Sequence, residues 1–139
     1  MIERLETKHL ILRKAKLKDL NSIWKNIWSD KHIAENMLWQ VTDNLEEAKK
    51  RMERTIKYQS EHYAYFVCLK TTDEAIGFCG VNEQGKGNYE ESGICIATKY
   101  QGRGYGKEVV SALKDLVFSQ LKGEKFIYGC SVSYTHLRA

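Results

Sequence analysis

The chain has 139 residues, 42% of them hydrophobic and 29% charged, with a mean hydropathy of −0.51 and a formal charge of +4 from 22 basic and 18 acidic side chains. That is enough apolar material for one core, too much for a disordered segment, and too short a chain for two full domains. No run approaches the roughly 18 apolar residues of a membrane span, and the N-terminal MIERLETKHL lacks the apolar centre of a signal peptide, so we expect a cytoplasmic protein without a membrane partner.

Basic residues alternate with acidic ones, and the longest basic cluster is Lys49, Lys50 and Arg51. This reads as a solvated face and argues against a nucleic-acid partner. Cys68, Cys79, Cys95 and Cys130 lie far apart in apolar runs, which predicts buried free thiols and neither a metal site nor a disulfide framework. Proline is absent, so turns must be built from Gly, Asn, Asp and Ser; sixteen lysines against six arginines suggest a skewed base composition.

In chain order, residues 10–15 read as a strand. Leu20, Ile23, Trp24, Ile27 and Trp28 then recur at helical spacing. A connector over residues 29–41 contains Met37, Leu38 and Trp39. Asp43 with Glu46 forms a capping box for a helix that carries Leu45, Ala48, Met52 and Ile56 and ends near Ser60. Residues 64–69, 75–81 and 91–97 read as three strands joined by short polar or glycine-bearing loops, an antiparallel meander. A glycine cluster leads into a helix over about residues 104–121 with Val109, Leu113, Leu116 and Val117 on its apolar face. Gly123 stops that helix, and residues 126–131 form a last strand. The order predicts one α/β domain with helices on both faces of a sheet.

The last eight residues, VSYTHLRA, equal the translation of a transposon end used in sequencing libraries, GTC TCT TAT ACA CAT CTC CGA GCC. We therefore divide the chain into a domain over residues 1–131 and an adapter remnant over 132–139, and expect the natural protein to continue past Ser131. Without Arg138 the charge becomes +3.

The segment from Ile94 to Lys107 runs strand, loop, helix N-terminus. Alternate glycines let successive N–H groups converge on an anion, and the helix dipole, Arg103 and Lys107 add positive charge, which suits a pyrophosphate. A Walker A loop would need Gly where Gln101 stands and Ser or Thr where Glu108 stands. The dinucleotide fingerprint would need Gly at Lys107 or Val109. The pattern Q/R-x-x-G-x-G/A does fit, as Gln101, Gly104 and Gly106.

That pattern, in that place, resembles the GNAT superfamily of acetyl-CoA-dependent N-acetyltransferases. TKHLILRKAKLKDL, Met37-Leu38-Trp39 and Glu91-Ser92-Gly93-Ile94 are similar to its branch that acetylates the N-terminal alanine of ribosomal proteins, and the likeness spans residues 2–131. The resemblance implies a mostly antiparallel mixed sheet with helices on both faces, its last helix and strands missing here. It implies acetyl-CoA as cosubstrate and a primary amine as acceptor, a protein N-terminus or a small molecule. The backbone of Cys95 and Ile96 would pair with the pantetheine arm, and Gln101, Gly102, Arg103, Gly104, Tyr105, Gly106 and Lys107 would hold the pyrophosphate. The coenzyme would enter a split between the strand over 91–97 and the last strand, and a backbone N–H on the bulged first of these would stabilise the oxyanion.

Glu91, at the start of that strand, is the candidate base, with Glu90 the runner-up on the opposite face. Trp39 and Tyr100 are candidates to line the acceptor side. The family's Asn that contacts the coenzyme and its Ser or Tyr that protonates the thiolate belong to segments beyond Ser131, and Tyr134 is not assigned that part. An unpaired edge at residues 126–128 would then favour a homodimer or aggregation. The alternative readings are a non-catalytic acyl-CoA-binding module or inactive fragment, and a nucleic-acid-binding α/β domain, for which a clustered basic face is lacking.

Overall fold

Leu10 and Leu12 stand opposite Leu69 and Val67 and face one side of a sheet, while Ile11 and Arg13 stand opposite Cys68 and Phe66. This period-two alternation gives the sheet two apolar faces, and each is covered by helix. The computed structural model describes residues 2–128 and the backbone of residues 132–135. Its strands are β1 (Arg4–Glu6), β2 (Leu10–Arg13), β3 (Tyr63–Leu69), β4 (Ala75–Gly85), β5 (Asn88–Ile96), β6 (Lys125–Tyr128) and β7 (Val132–Thr135). They form one sheet in sequence order, antiparallel throughout except for the parallel pair β5 and β6. The mixed, mostly antiparallel architecture expected from the sequence is what the chain adopts.

The helices are α1 (Leu20–Ile23), which continues into a wide π turn over Trp24–Trp28, α2 (Lys31–Met37), α3 (Leu45–Glu61) and α4 (Tyr105–Asp115), which also runs into a π turn. Val109, Leu113, Leu116 and Val117 of the α4 unit pack on Leu12, Val67, Val81 and Tyr89. Ile23, Ile27 and Trp28 of the α1 unit, Ile33 of α2 and Met52 of α3 cover the other face through Phe66, Cys68 and Cys95. Cys68, Cys79 and Cys95 are buried and free, and burial pushes the first up to about 12 and the last up to about 11, so both stay protonated. Cys130 lies outside the described residues.

Several boundaries differ from the sequence reading. The connector over 29–41 holds α2, capped by the Asp30 side chain, which accepts from Ile33 N. The cap of α3 is Asn44, accepting from Glu47 N at 2.9 Å; Asp43 lies one residue too early to serve. β4 and β5 extend through the expected loop to a tight turn at Lys86 and Gly87. The residue that turns the chain out of the α4 unit is Lys122, with φ +57°, while Gly123 is set by close packing, since a Cβ there would collide with Val117 and Tyr89. The strand expected over residues 126–131 is β6, described from Lys125 to Tyr128; residues 129–131 lie outside the described ones. Its outer edge is not bare: Lys125–Tyr128 pair antiparallel with Val132–Thr135, so the expectation of an exposed edge at 126–128 is corrected.

Two polar ties fix the frame around the site. Arg13, 5% exposed, holds Asp19 through two hydrogen bonds of 2.7 and 2.8 Å and Asp73 at 2.9 Å, which joins β2, the start of the α1 unit and the β3–β4 turn. The Arg13 hydrogen bond brings the Asp73 carboxyl down to about 2. Lys14 Nζ donates to the carbonyls of Gln59, His62 and Ala64, where α3 gives way to β3.

Candidate active site

The parallel pairing of β5 with β6 covers Asn88, Tyr89 and Glu90 against Lys125, Phe126 and Ile127. Past Glu90 the described ladder continues only on the other side, with β4, as far as Gly77 opposite Ile96. On that side Gly80 faces Gly93 and Val81 faces Glu91, so Ser92 is an inserted residue, and Gly93 takes φ +142°. The bulge bends β5 away from β6 where their pairing stops. Residues 91–96 therefore present one edge with no strand partner among the described residues, which is the split expected from the resemblance.

The loop after β5 is tied back to it. The Gln101 side-chain amide donates to Ile96 O at 2.9 Å, and its backbone N–H donates to Thr98 O at 3.2 Å. Both the Gln101 amide and the Ile96 carbonyl, expected to serve the coenzyme, are thus engaged within the chain. Gly102 and Gly104 take φ +80° and +83°, the left-handed region that excludes most side chains. The first helical bond of α4 is Glu108 N–H to Gly104 O at 3.2 Å, and the N–H groups of Tyr105, Gly106 and Lys107 before it have no acceptor among the described residues. A Cβ on Gly102, Gly104 or Gly106 would meet nothing within 4 Å. These three glycines with Ile94, Ile96, Tyr100, Gln101 and Tyr105 line a groove of 270 Å³. Arg103 stacks over Tyr100 at 5.4 Å, and Lys107 is exposed beside it. An open cradle of unbonded amides at a helix start, flanked by two cations, fits a pyrophosphate.

The helix start is anchored from behind. Glu108 accepts from the Thr7 hydroxyl at 2.7 Å and His9 N–H at 3.0 Å, and its other oxygen lies 2.7 Å from His9 Nδ1. Burial alone would raise this carboxyl, but those hydrogen bonds outweigh it and hold the group below the usual range.

Glu91 is the first β5 residue past the last described pair with β6. It stands opposite Val81, on the face that packs α4, and is part buried. Desolvation, with some repulsion from Glu90, raises its carboxyl above the usual range. Glu90 stands opposite Asn82, exposed on the other face. Cys95 packs with Trp28 and Phe66, away from the groove, so only its backbone is available to a ligand there.

On the opposite side of β5 a pocket of 370 Å³ opens between α3 and the sheet and reaches Ser92 and Gly93 at the bulge. Trp39 belongs to its wall, with its ring 5.7 Å from Phe78; Tyr100 belongs instead to the glycine groove. Arg51 is not on a solvated face. Its guanidinium lies 4.8 Å from the Trp28 ring and 4.5 Å from the Trp39 ring and donates to Thr42 Oγ1 at 3.0 Å. Arg51, Thr55 and Tyr58, at i, i+4 and i+7, face this pocket beside the apolar stripe of α3, and that spacing was the signal in the sequence that could have found them. Groove and pocket meet β5 at adjacent residues, Ile94 and Gly93.

Comparison with known proteins decides the family. The sequence model of the GNAT acetyltransferase domain matches residues 9–134. The chain belongs to the GNAT acetyltransferase family. It is 29% identical over 124 residues to an uncharacterized N-acetyltransferase, p20, of Bacillus licheniformis, covering 86% of this chain and 68% of that protein. Among solved structures, a GNAT-family acetyltransferase from Bacillus anthracis superposes with a TM-score of 0.75 at 19% identity, over 91% of this chain and 73% of the other. A ribosomal-protein-S5-alanine acetyltransferase from Vibrio fischeri gives 0.64 at 18% identity, over 91% and 73%. At such identities the structures establish a shared fold.

Proposed function

We propose that this chain moves the acetyl group of acetyl-CoA to a primary amine by direct attack in a ternary complex. The observation that carries the reading is the three-glycine cradle at the start of α4, open to solvent and adjoining the split between β5 and β6. Acetyl-CoA supplies an activated thioester carbonyl. Amides of residues 102–107, with Arg103 and Lys107, hold the pyrophosphate, and the unpaired edge of β5 near Cys95 and Ile96 receives the pantetheine arm. Glu91, its carboxyl raised above the usual range by burial at the mouth of the split, takes a proton from the acceptor ammonium. Transfer exchanges an S–C bond for an N–C bond, and a proton passes from the amine to the released thiol. The acceptor is a protein N-terminus or a small amine, reached from the α3 side and meeting Glu91, which stands on the other face, across the bulge at Ser92 and Gly93. Among the described residues no helix is long and apolar enough to cross a membrane. Three buried free thiols support work in the reducing cytosol.

Calorimetric titration with acetyl-CoA tests the donor site: saturable binding in the parent and its loss in a folded Gly104→Val variant support the assignment, and unchanged affinity in that variant overturns it. Release of free thiol in the presence of amines then separates transfer from mere acyl-CoA binding. Glu91→Gln should lower turnover most at low pH, where the acceptor is most fully protonated, while leaving coenzyme affinity intact. An unaltered pH–rate profile removes Glu91 from the mechanism.

A further inference from the structure

The pocket on the α3 side of β5 has an unusual charge for an enzyme whose acceptor is an amine. Its wall contains two guanidinium groups, Arg51 and Arg54, and no Asp or Glu. Among the described residues neither arginine pairs with a carboxylate. Arg51 and Arg54 also line an adjoining depression together with Asp43 and Glu47, but neither carboxylate pairs with them, and Glu47 reaches Lys50 instead, at 3.9 Å. Arg51 is held between the Trp28 and Trp39 rings and, among the described residues, donates to one protein oxygen, Thr42 Oγ1. Burial, with Arg54 nearby, lowers it to about 10, so its charge is poorly compensated within the chain. The Trp39 indole nitrogen is buried and has no acceptor among the described residues. A half-buried guanidinium offers up to five donors in a planar fork, and a carboxylate is the group that fits that fork.

We infer that the acceptor is a small primary amine that also carries a carboxylate, bound by Arg51 with Arg54 at the rim, its apolar body against Trp28, Trp39 and Phe78. Two guanidiniums without a carboxylate repel a polycation, so the same wall selects against polyamines. An amine held by its carboxylate at Arg51 would be directed toward Ser92 and Gly93, where the pocket meets the bulge beside the donor groove. The inference rests on the amine-acetyltransferase reading above for the word acceptor, and on the pocket alone for the carboxylate.

Tryptophan fluorescence of the ligand-free protein, titrated with leucine, methionine and phenylalanine, each against its own amide, and with spermidine, provides the test. At least one free acid should saturate the signal and bind about tenfold or more tighter than its amide, with spermidine weaker than either. Arg51→Gln should abolish the preference, and Arg51→Lys should keep part of it, with acetyl-CoA affinity unchanged in both. Equal affinity of every acid and its amide, tighter binding of spermidine, or no saturable acid overturns the inference. The wild-type ratios decide the matter even if a variant fails to fold. The titration omits coenzyme, so failure of donor binding would strike the acetyltransferase reading and leave the preference of the pocket to be read separately.

Discussion

Gly106 sits inside the first turn of α4 at an ordinary helical φ, with room for a side chain and no contact that forbids one. A helical glycine costs about 0.5–1 kcal/mol relative to alanine, so the free chain gains nothing by it. Gly106→Ala should therefore raise the melting temperature of the ligand-free protein while weakening acetyl-CoA binding; a lower melting temperature, or unchanged affinity, would contradict this. Glu91 presents a similar conflict. Because its folded-state carboxyl is raised by desolvation, the folded protein binds the proton more tightly than the unfolded chain does, and stability falls as pH rises from the ordinary glutamate value through the raised one. Glu91→Gln should be more stable than the parent at neutral pH and lose that advantage in acid, which denaturant titrations at the two pH values can check. Two residues that weaken the free protein border one cleft, and the proposed function gives each of them a part there.

At the level of elements, the cap of α3 gives a direct comparison. Asn44→Ala should cost about 1 kcal/mol, since it removes the acceptor for Glu47 N, and Asp43→Ala should cost a few tenths at most. Equal losses in urea titrations would mean that the cap is shared. The sequence puts the box at Asp43 and Glu46, but Asn44 and Glu47 stand at the same spacing, and only the backbone at the helix entry chooses between the two pairs. The long elements were legible because Ala48, Met52 and Ile56, or Val109, Leu113 and Leu116, repeat over several turns. The seven residues of α2 carry too few repeats, and β1 is three residues long. The glycine loop was legible because its backbone demands are written into residue identity. The pocket was not, because Arg51 owes its place to Trp28 and Trp39, distant in sequence, and its neighbours Lys49 and Lys50 made it look like solvated charge.

For the molecule as a whole, β7 closes the outer edge of β6. Deleting residues 132–139 should bare that edge, with Phe126 and Tyr128 on the exposed strand, and lead to dimers or aggregates; a monodisperse monomer by light scattering would refute this. The fusion of a bulged, interrupted parallel pair onto an antiparallel meander has another consequence. Every pair joins strands consecutive in the chain, but two of them close long connections: β2 meets β3 only after the α1–α3 segment, Leu10 standing opposite Leu69, and β5 meets β6 only after the α4 unit has crossed between them, Asn88 opposite Lys125. Contacts of long sequence separation close late in folding, because the loop entropy must be met before they contribute. The cleft therefore assembles later than the β3–β4 and β4–β5 hairpins that flank it. A ligand lying in it would act on the exit from the native state: the unfolding rate would slow in its presence, and the rate at which the chain first finds its fold would not change.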